Sequence, residues 1–451
     1  MNLLWTDQCF LAVLLISLII ILTSLRKKHV RRSFQRIAHN PLAVSAGIVL
    51  LFFLAVGVLD SIHLGSRADY LEAESSASQN DSLLDRILAP LGNIFEETYS
   101  APLALTLYST ETIFVDGKAQ QIHPHLKYPS ATLKNDHDVQ TRIRYLSSKA
   151  ALVSLFIVIL LWAALVFAKW FKQGTIHYLP TKVATTAFFT FFCCLFVVFA
   201  SYWLSREMHL FGTGKIGQDI YYYTIKSIRT GLVIGILTTL FMLPLALLLG
   251  IAAGYFGGVI DDLIQYIYTT LSSIPGVLLI TASVLSMQTY IANHPQQFTT
   301  LSQSADARLF ALCLILGVTS WTSLCRLLRA EALKLREVDF VLAARALGSS
   351  SFTIIRKHLL PNVMHIVLIT LVLDFSFLVL AEAVLSYVGV GVSPMTISWG
   401  NMINSARLEL AREPLVWWPI MAAFLFMFLL VLASNLFADA VRDAFDPHQS
   451  P

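Results

Sequence analysis

Residues 329–388 read RAEALKLREVDFVLAARALGSSSFTIIRKHLLPNVMHIVLITLVLDFSFLVLAEAVLSYV. The part up to Asn362 is basic and rich in alanine, whereas the part from Val363 to Val388 is mostly apolar and carries two acids, Asp374 and Glu382. A bilayer core about 30 Å thick needs roughly 20 predominantly apolar residues in one helical span. The stretch therefore predicts a helix that crosses a membrane, preceded by an amphipathic segment outside the bilayer.

Eight further apolar runs extend this prediction to the whole chain. Its 451 residues are 56% hydrophobic and 13% charged, a balance that no water-soluble domain of this size needs for its core. The sequence therefore predicts an all-α polytopic membrane protein. The fifth to seventh spans are interrupted or bounded by Pro244, Pro275 and Gly317. We expect these residues to be tolerated, because neighbouring helices can satisfy the backbone groups that they free. The nine predicted spans are Cys9–Leu25, Leu42–Leu59, Ala150–Ala168, Val183–Leu204, Leu232–Ala253, Ile264–Met287, Leu309–Leu324, Val363–Val388 and Trp417–Ala438.

Basic loops predict the orientation, because cytoplasmic loops concentrate Lys and Arg. The link after the first span and the loop after the seventh are both basic, and six predicted spans separate them. An even number of crossings returns the chain to the same side, so we predict that both are cytoplasmic. The N-terminus is then outside and the C-terminus inside. The cations are Arg26, Lys27, Lys28, Arg31, Arg32 and Arg36 in the link, and Arg326, Arg329, Lys334, Arg336, Arg345, Arg356 and Lys357 in the loop.

The spans and loops divide the chain into six parts. Residues 60–149 lean acidic and are long enough for a small external α+β module or an irregular segment, with a flexible linker at Glu72–Asp81 and a turn at Asp116-Gly117. We read the first span as a retained anchor, because no Lys or Arg precedes its apolar run. The predicted parts are 1–36 (anchor span and basic link), 37–59 (a span), 60–149 (external segment), 150–205 (helical hairpin), 206–446 (a compact five-span unit with the loop 337–362) and 447–451 (cytoplasmic tail).

The loop 337–362 is predicted to contain two short helices. Phe340, Ala343, Ala344 and Leu347 recur at helical spacing and form one apolar stripe, and Gly348 ends that helix. A second helix begins near Phe352 and closes at Pro361. Small alanines flanked by arginines suit docking into a groove of a soluble partner. The same pattern also fits an interfacial linker whose cations only fix the topology.

The order of residues in this loop resembles the coupling loop, or EAA loop, of bacterial ABC-importer permeases. The matching residues are Ala343-Ala344-Arg345-Ala346-Leu347-Gly348, followed by Leu360-Pro361-Asn362. The resemblance implies that Ala343, Ala344, Arg345, Leu347, Gly348, Leu360, Pro361 and Asn362 couple to an ATPase. One position departs from the family pattern, because Leu342 stands where an acidic residue is expected. This departure puts one polar contact to the ATPase in question.

Five other segments resemble the C-type permeases of the oligopeptide/dipeptide group. The family's first helix is matched by Asn40-Pro41-Leu42-Ala43, and its cytoplasmic turn by Gly254-Tyr255-Phe256-Gly257-Gly258 with Asp261-Asp262. The remaining matches are His209 to Thr213 with Gly217 and Asp219, then Ser273-Ile274-Pro275, and finally Ala381 to Gly391 with Trp399-Gly400. Gly214 and Gln218 depart from the pattern. The resemblance covers residues 32–59 and 206–446, and leaves the first span and residues 60–205 outside it.

This resemblance implies a type I ABC-importer transmembrane domain with a core of about six helices, extended here by an N-terminal span and an inserted hairpin. The implied complex lies in a bacterial inner membrane and contains a second, B-type permease, two ABC ATPases and an external peptide-binding protein. It further implies that this chain carries peptides, binds no cofactor, and leaves ATP and Mg to the ATPases. The alternatives are a permease core reused as a membrane sensor or scaffold, and import of nickel or another small solute.

Three further features of the sequence bear on function. Gly212-Thr213-Gly214-Lys215 lacks the full Gly-x-x-x-x-Gly-Lys-Ser/Thr phosphate loop, so nucleotide hydrolysis by this chain is not expected. The formal net charge of +4 reflects the inward loops and does not indicate nucleic-acid binding. An ionised side chain within a span costs roughly 2.5–3.5 kcal/mol and usually faces a cavity or a partner. Asp374 and Glu382 are therefore predicted either to line the translocation path or to form structural hydrogen bonds.

Overall fold

The structure is a computed structural model that describes residues 4–24, 26, 28–63, 82–115, 118–128, 136–173, 182–294, 296 and 300–445. The predicted linker at Glu72–Asp81, the turn at Asp116-Gly117 and the tail 447–451 lie outside these residues. The elements in chain order are α1 Trp5–Ser24, α2 Lys28–His39, α3 Pro41–Ser61, α4 Leu83–Ile87, α5 Ala89–Asn93, β1 Glu111–Val115, β2 Lys118–Ile122, α6 Asp136–Gln173, α7 Lys182–Ser205, α8 Ile220–Phe256, α9 Gly258–Ser273, α10 Gly276–Asn293, α11 Leu301–Arg336, α12 Asp339–Ala346, α13 Ser351–Ile354, a π-helix Ile355–Leu359, α14 Leu360–Val388, α15 Trp399–Ala406, a 3₁₀-helix Arg407–Ala411 and α16 Trp418–Phe445.

The helices confirm the all-α membrane class. Within the described ranges, nine helical stretches are long and apolar enough to cross a membrane. The third span is longer than predicted, because α6 begins at Asp136 rather than at Ala150. The described part of residues 60–149 holds the short helices α4 and α5 and an antiparallel pair of strands in which Glu111 lies opposite Ile122.

The sixth predicted span, Ile264–Met287, is wrong as a single helix. The chain divides there into α9 and α10, and Ile274 adopts an extended conformation with φ −87° and ψ 131°. Proline disfavours the helical conformation of the residue before it, so Pro275 ends one helix and caps the next. Pro244, in contrast, lies inside the continuous helix α8 as expected.

The described chain clusters into two compact units. The first consists of the described residues between 38 and 229 and of residues 397–433, and the second of the described residues between 4 and 37, between 230 and 396, and between 434 and 445. In the first unit the hairpin α6–α7 packs with α3, where the rings of Phe52 and Phe191 lie 5.7 Å apart. The inserted hairpin is thus held against a helix that the resemblance assigns to the permease core.

The segment between α7 and α8 is fixed in the first unit by two glycines with positive φ. At Gly212, with φ +69°, an added Cβ would lie 2.2 Å from the Ser100 carbonyl oxygen, and at Gly217, with φ +75°, 1.8 Å from that of Glu96. The hydroxyl of Thr213 donates to the Thr98 carbonyl at 2.7 Å. These close approaches require glycine and explain why this stretch carries a recognisable pattern.

Buried polar side chains cross-link the same segment. His209 is fully buried, with Nδ1 2.5 Å from Asp219 Oδ2 and Nε2 3.5 Å from Glu96 Oε1. Asp219 also accepts a hydrogen bond from the Tyr222 amide at 2.8 Å and so caps the start of α8. The indole nitrogen of Trp418 donates to the Thr213 carbonyl at 3.0 Å. The beginning of α8 is therefore held by side chains from several elements of this unit.

The second unit is built around close contact of α8 and α11. An added Cβ at Gly250 would lie 2.8 Å from Leu328 Cβ, and one at Gly254 2.5 Å from Ala332 Cβ. The small residues thus allow the two backbones to approach, as is common for packed membrane helices. The additional helix α1 docks on the second turn of α11, where Thr6 donates from its amide and its hydroxyl to the Asp306 carboxylate.

Candidate coupling surface and intramembrane acids

The loop 337–362 forms the short helix α12, which ends in a Schellman motif. The Ser349 amide donates to the Ala344 carbonyl at 3.1 Å, and the Gly348 amide donates to the Arg345 carbonyl at 3.0 Å. Gly348 has φ +78°, and an added Cβ there would meet nothing within 4 Å. The predicted helix end is therefore found at Gly348, and the requirement for glycine is conformational rather than steric.

The residues of α12 divide between an inner and an outer face. Val341 is fully buried and Ala344 is 9% exposed, and both pack in a cluster with Ala332, Ile354 and Leu359. The predicted single stripe is therefore wrong for Ala344, which is turned about 100° from Ala343 around the helix and lies on the supporting face. Its small side chain lets α12 lie close to the helices beneath it.

The outer face carries exposed apolar side chains. We call this set the coupling surface; it consists of Phe340, Leu342, Ala343, Leu347 and Phe352. Leu347 is 85% exposed and Phe352 73% exposed. Large apolar side chains that cluster at a surface beside a membrane indicate a partner, because a soluble face of this kind is otherwise unfavourable. The predicted coupling residues Ala343 and Leu347 belong to it, and Leu342 exposes an apolar side chain where an acid was expected.

One ion pair and one ring contact join the helices that pack around α12. Arg329 of α11 donates two hydrogen bonds to Asp261 of α9, at 2.5 and 2.7 Å. These hydrogen bonds, together with the positive charge of the guanidinium, hold the pKa of the Asp261 carboxyl below its usual value. The predicted coupling residue Arg345 places its guanidinium 5.5 Å from the centre of the Tyr255 ring. The loop thus rests on α8, α9 and α11.

Pro361 does not close a separate helix as predicted. The π-helix Ile355–Leu359 runs directly into α14, and the Leu360 amide donates to the Ile355 carbonyl five residues earlier. Proline cannot donate to the carbonyl four residues before it, and a π-turn is one local adjustment that re-satisfies the freed groups. The second half of the loop, from Ser351 onward, and the membrane helix α14 are therefore one helical stretch with a wide turn in it.

The predicted residues next to Pro361 belong to this junction. Leu360 is half-buried and packs against the cluster that supports α12. Asn362 donates from Nδ2 to the His358 carbonyl at 2.7 Å, and so satisfies a carbonyl of the π-turn. Leu360 and Asn362 thus connect the coupling surface to α14, and the side chains of Pro361 and Asn362 are also exposed.

The two acids of α14 have different surroundings. Glu382 is 3% exposed and accepts a hydrogen bond from Ser386 at 2.7 Å, and an added Cβ at Gly391 would lie 2.0 Å from the Ser386 hydroxyl. This packing favours the structural alternative for Glu382. Asp374 is half-buried and has no hydrogen-bond partner among the described residues. Of the two, Asp374 is the acid available to a path or a partner.

Sequence reasoning missed the pairing of Asp261 with Arg329. Both residues stood out in the sequence, one in the Gly-Gly turn motif and the other among the cations of the loop, but they are 68 positions apart. Of the side chains that the structure describes, no three of His, Cys, Asp and Glu are grouped so that they could hold a metal ion.

Within the described residues, nine apolar helices and the amphipathic loop beside them define an integral-membrane protein. Residues 246–451 match the family described as "Binding-protein-dependent transport system inner membrane component". The chain belongs to this family. It is accordingly a multi-pass inner-membrane protein and a permease component of ABC importers, which confirms the resemblance stated above.

Three curated relatives show how far the likeness extends. The dipeptide transport system permease protein of Lactococcus lactis subsp. cremoris is 31% identical over 54% of this chain and 65% of its own length. The oligopeptide transport system permease protein of Bacillus subtilis is 26% identical over 68% of this chain and 88% of its own. A putative peptide transport system permease protein of Brucella suis biovar 1 is 30% identical over 53% of this chain and 73% of its own. In the first of these alignments, slightly less than two thirds of the relative is covered.

Proposed function

We propose that this chain forms half of a translocation path for peptides and couples it to cytoplasmic ABC ATPases through the loop 337–362. The second half comes from a B-type permease, and an external binding protein delivers the peptide. The relatives named above support peptide as the cargo, since each is named as a peptide, dipeptide or oligopeptide permease. ATP and Mg are used by the ATPase subunits, so the role of this chain is not catalytic.

The coupling surface is the observation that carries the proposal. Leu347 and Phe352 expose most of their side chains, while Val341 and Ala344 anchor the same loop to the helices beneath. A helix that offers apolar side chains outward and is held rigidly from behind suits the groove of a soluble partner. Motion of the ATPases then reaches α14 through the continuous π-helix junction and tilts the helices between inward-open and outward-open states.

The orientation required by this proposal is a cytoplasmic loop, with the N-terminus outside and the C-terminus inside. The basic link and the basic loop support it, because both fall on one side of the membrane when the nine helices alternate. A sensor or scaffold role has no comparable support, and neither has nickel import, because the relatives named above carry peptide names.

Replacing the outermost apolar side chains tests the coupling surface. We expect Leu347→Asp with Phe352→Asp to abolish co-purification of the ATPases and to lower uptake of a labelled dipeptide at least tenfold. Two apolar side chains that become buried when the ATPase docks contribute about 3 kcal/mol or more to binding. Membrane levels of the permease should stay normal, since both side chains are exposed.

The matched control is Leu408→Asp, which changes a 74% exposed leucine in the 3₁₀-helix outside the loop. Uptake and ATPase association should both survive this change. Normal dipeptide uptake by the loop variant at equal membrane levels would contradict the coupling role. Retained ATPase binding with transport of a solute other than peptides would instead keep the coupling role and overturn the cargo.

A further inference from the structure

One end of the inserted hairpin α6–α7 concentrates cations and aromatic rings. Arg142 and Lys149 are seven positions apart on α6 and so share one face of the helix. Arg206 directly follows α7 at the same end of the hairpin, and all three side chains are exposed. We call these three residues the hairpin patch.

The hairpin patch carries an excess of positive charge. Arg142 donates two hydrogen bonds to Glu207, at 2.7 and 2.5 Å, so that one cation is neutralised. Lys149 and Arg206 have no carboxylate partner within the described part of the chain. Two exposed positive charges therefore remain at this end of the hairpin, one on α6 and one just after α7.

Aromatic side chains indicate that this patch lies at the level of the lipid headgroups. The Lys149 ammonium lies 4.7 Å from the centre of the Trp203 ring, and the Arg206 guanidinium lies 5.2 Å from that of Tyr202. Lys149 immediately precedes the apolar run of α6, and Arg206 immediately follows that of α7. Trp and Tyr are enriched at the boundary between hydrocarbon and headgroups, where long cations also extend toward the phosphates.

The charge at this end is unexpected for a hairpin that only crosses the membrane. Its opposite end is also basic, since the sequence there contains Lys169, Lys172 and Lys182. Loops on the outer side of a membrane normally have few Lys and Arg. One of the two basic ends must face outward whichever way the hairpin is inserted, and the predicted topology assigns this to the hairpin patch.

We propose that the hairpin patch binds the phosphate of an anionic phospholipid headgroup. Lys149 and Arg206 supply the two charges, Tyr202 and Trp203 hold their stems at the interface, and the Arg142–Glu207 pair fixes α6 against the end of α7. An exposed arginine and lysine offer several donors to phosphate oxygens. The inserted hairpin then anchors this permease to acidic lipid, a role separate from its coupling surface.

The test uses the full-length chain purified and placed in nanodiscs of phosphatidylcholine, alone or mixed with phosphatidylglycerol. Native mass spectrometry counts the phosphatidylglycerol molecules that each protein retains. We expect Lys149→Gln with Arg206→Gln to weaken retention about tenfold, because each cation near an anionic surface contributes several-fold in affinity. Thermal unfolding in pure phosphatidylcholine should be nearly unchanged, which separates lost binding from lost folding.

The control variant removes the same charge elsewhere in the first unit. Arg144→Gln with Lys127→Gln changes an arginine on the opposite side of α6 from Arg142 and a lysine of the external segment, both exposed. It should retain phosphatidylglycerol as the natural chain does. The proposal would be overturned if the patch variant retained as much phosphatidylglycerol as the natural chain, or if the control variant lost as much as the patch variant. Capture of an acidic external protein with unchanged lipid retention would overturn it as well.

Discussion

The backbone conformation of a single residue, Gly348, can determine where the helix of the coupling loop ends. Its φ of +78° lies in the left-handed region, and an added Cβ meets nothing within 4 Å. For a residue with a side chain, this conformation costs about 1–2 kcal/mol even where there is space for it. The energetic cost of replacing Gly348 therefore comes from the backbone conformation of the turn and not from side-chain packing. The size of the new side chain matters less than its backbone preference.

Replacing Gly348 should therefore act in a graded way. We expect Gly348→Ala to lower peptide-stimulated ATPase activity of the assembled importer a few-fold, and Gly348→Pro to abolish it, because proline fixes φ near −65° and removes the amide that donates to Arg345. Gly276→Ala is the control, since that glycine also has free space but no positive φ. Equal activities of the alanine and proline variants would argue against a conformational role.

Asp261 allows a prediction about pH at the same scale. Its pKa is lowered in the folded chain by the hydrogen bonds and the charge of Arg329. A carboxyl group with a depressed folded pKa stabilises the fold fully above its unfolded pKa of about 3.9, and that contribution is lost as the pH falls through the folded pKa. The support beneath α12 should therefore weaken only under acidic conditions and remain constant around neutrality.

Thermal unfolding of the purified chain between neutral pH and about pH 3 checks this expectation. Asp261→Asn should lower the unfolding temperature at neutral pH, since a hydrogen bond to a charged group contributes about 1.5–3 kcal/mol, and should flatten the acid-side decline. The neighbouring exposed carboxyl provides the control, because Asp262→Asn leaves the Arg329 pair intact. An acid-side decline in Asp261→Asn as steep as in the natural chain would remove the ion pair from the explanation.

Single elements show which parts of the fold a sequence can predict. The apolar runs follow directly from the bilayer, which demands helices of a certain length, so eight spans were recovered with shifted ends. The break between α9 and α10 was missed, because Pro244 and Pro275 look alike in sequence and only packing decides which one is tolerated. The π-helix at Ile355–Leu359 was missed for a similar reason, since proline can either end a helix or widen it.

The two faces of α12 show a second limit at the element scale. Helical periodicity identifies apolar neighbours, but it does not say whether the stripe faces the helices beneath or a partner. Here Val341 and Ala344 took the inner side and Leu347 the outer side. The position of Gly348 could be predicted, because a residue with positive φ is usually glycine and can therefore be recognised in the sequence. The pairing of Asp261 with Arg329 could not, because it depends on how α9 and α11 pack.

At the scale of the whole molecule, an even number of inserted spans would preserve the orientation of the coupling loop. The family resemblance covers a core of about six helices, to which this chain adds α1 in front and the pair α6–α7 inside. Inserting two spans leaves everything downstream on its original side, whereas inserting one would invert it. The basic loop after α11 can thus remain cytoplasmic only if both helices of the hairpin cross the membrane.

Reporter fusions at the C-terminus test this parity. Green fluorescent protein should fluoresce on the full-length chain and on a chain lacking residues 150–205, because either arrangement leaves the C-terminus in the cytoplasm. A chain lacking only residues 182–205 loses one crossing, so alkaline phosphatase fused to its C-terminus should become active outside. Phosphatase activity on the full-length chain, or the same reporter pattern for both deletions, would contradict the topology. A C-terminus outside the cell would place the coupling surface on a side of the membrane where no ATPase can reach it.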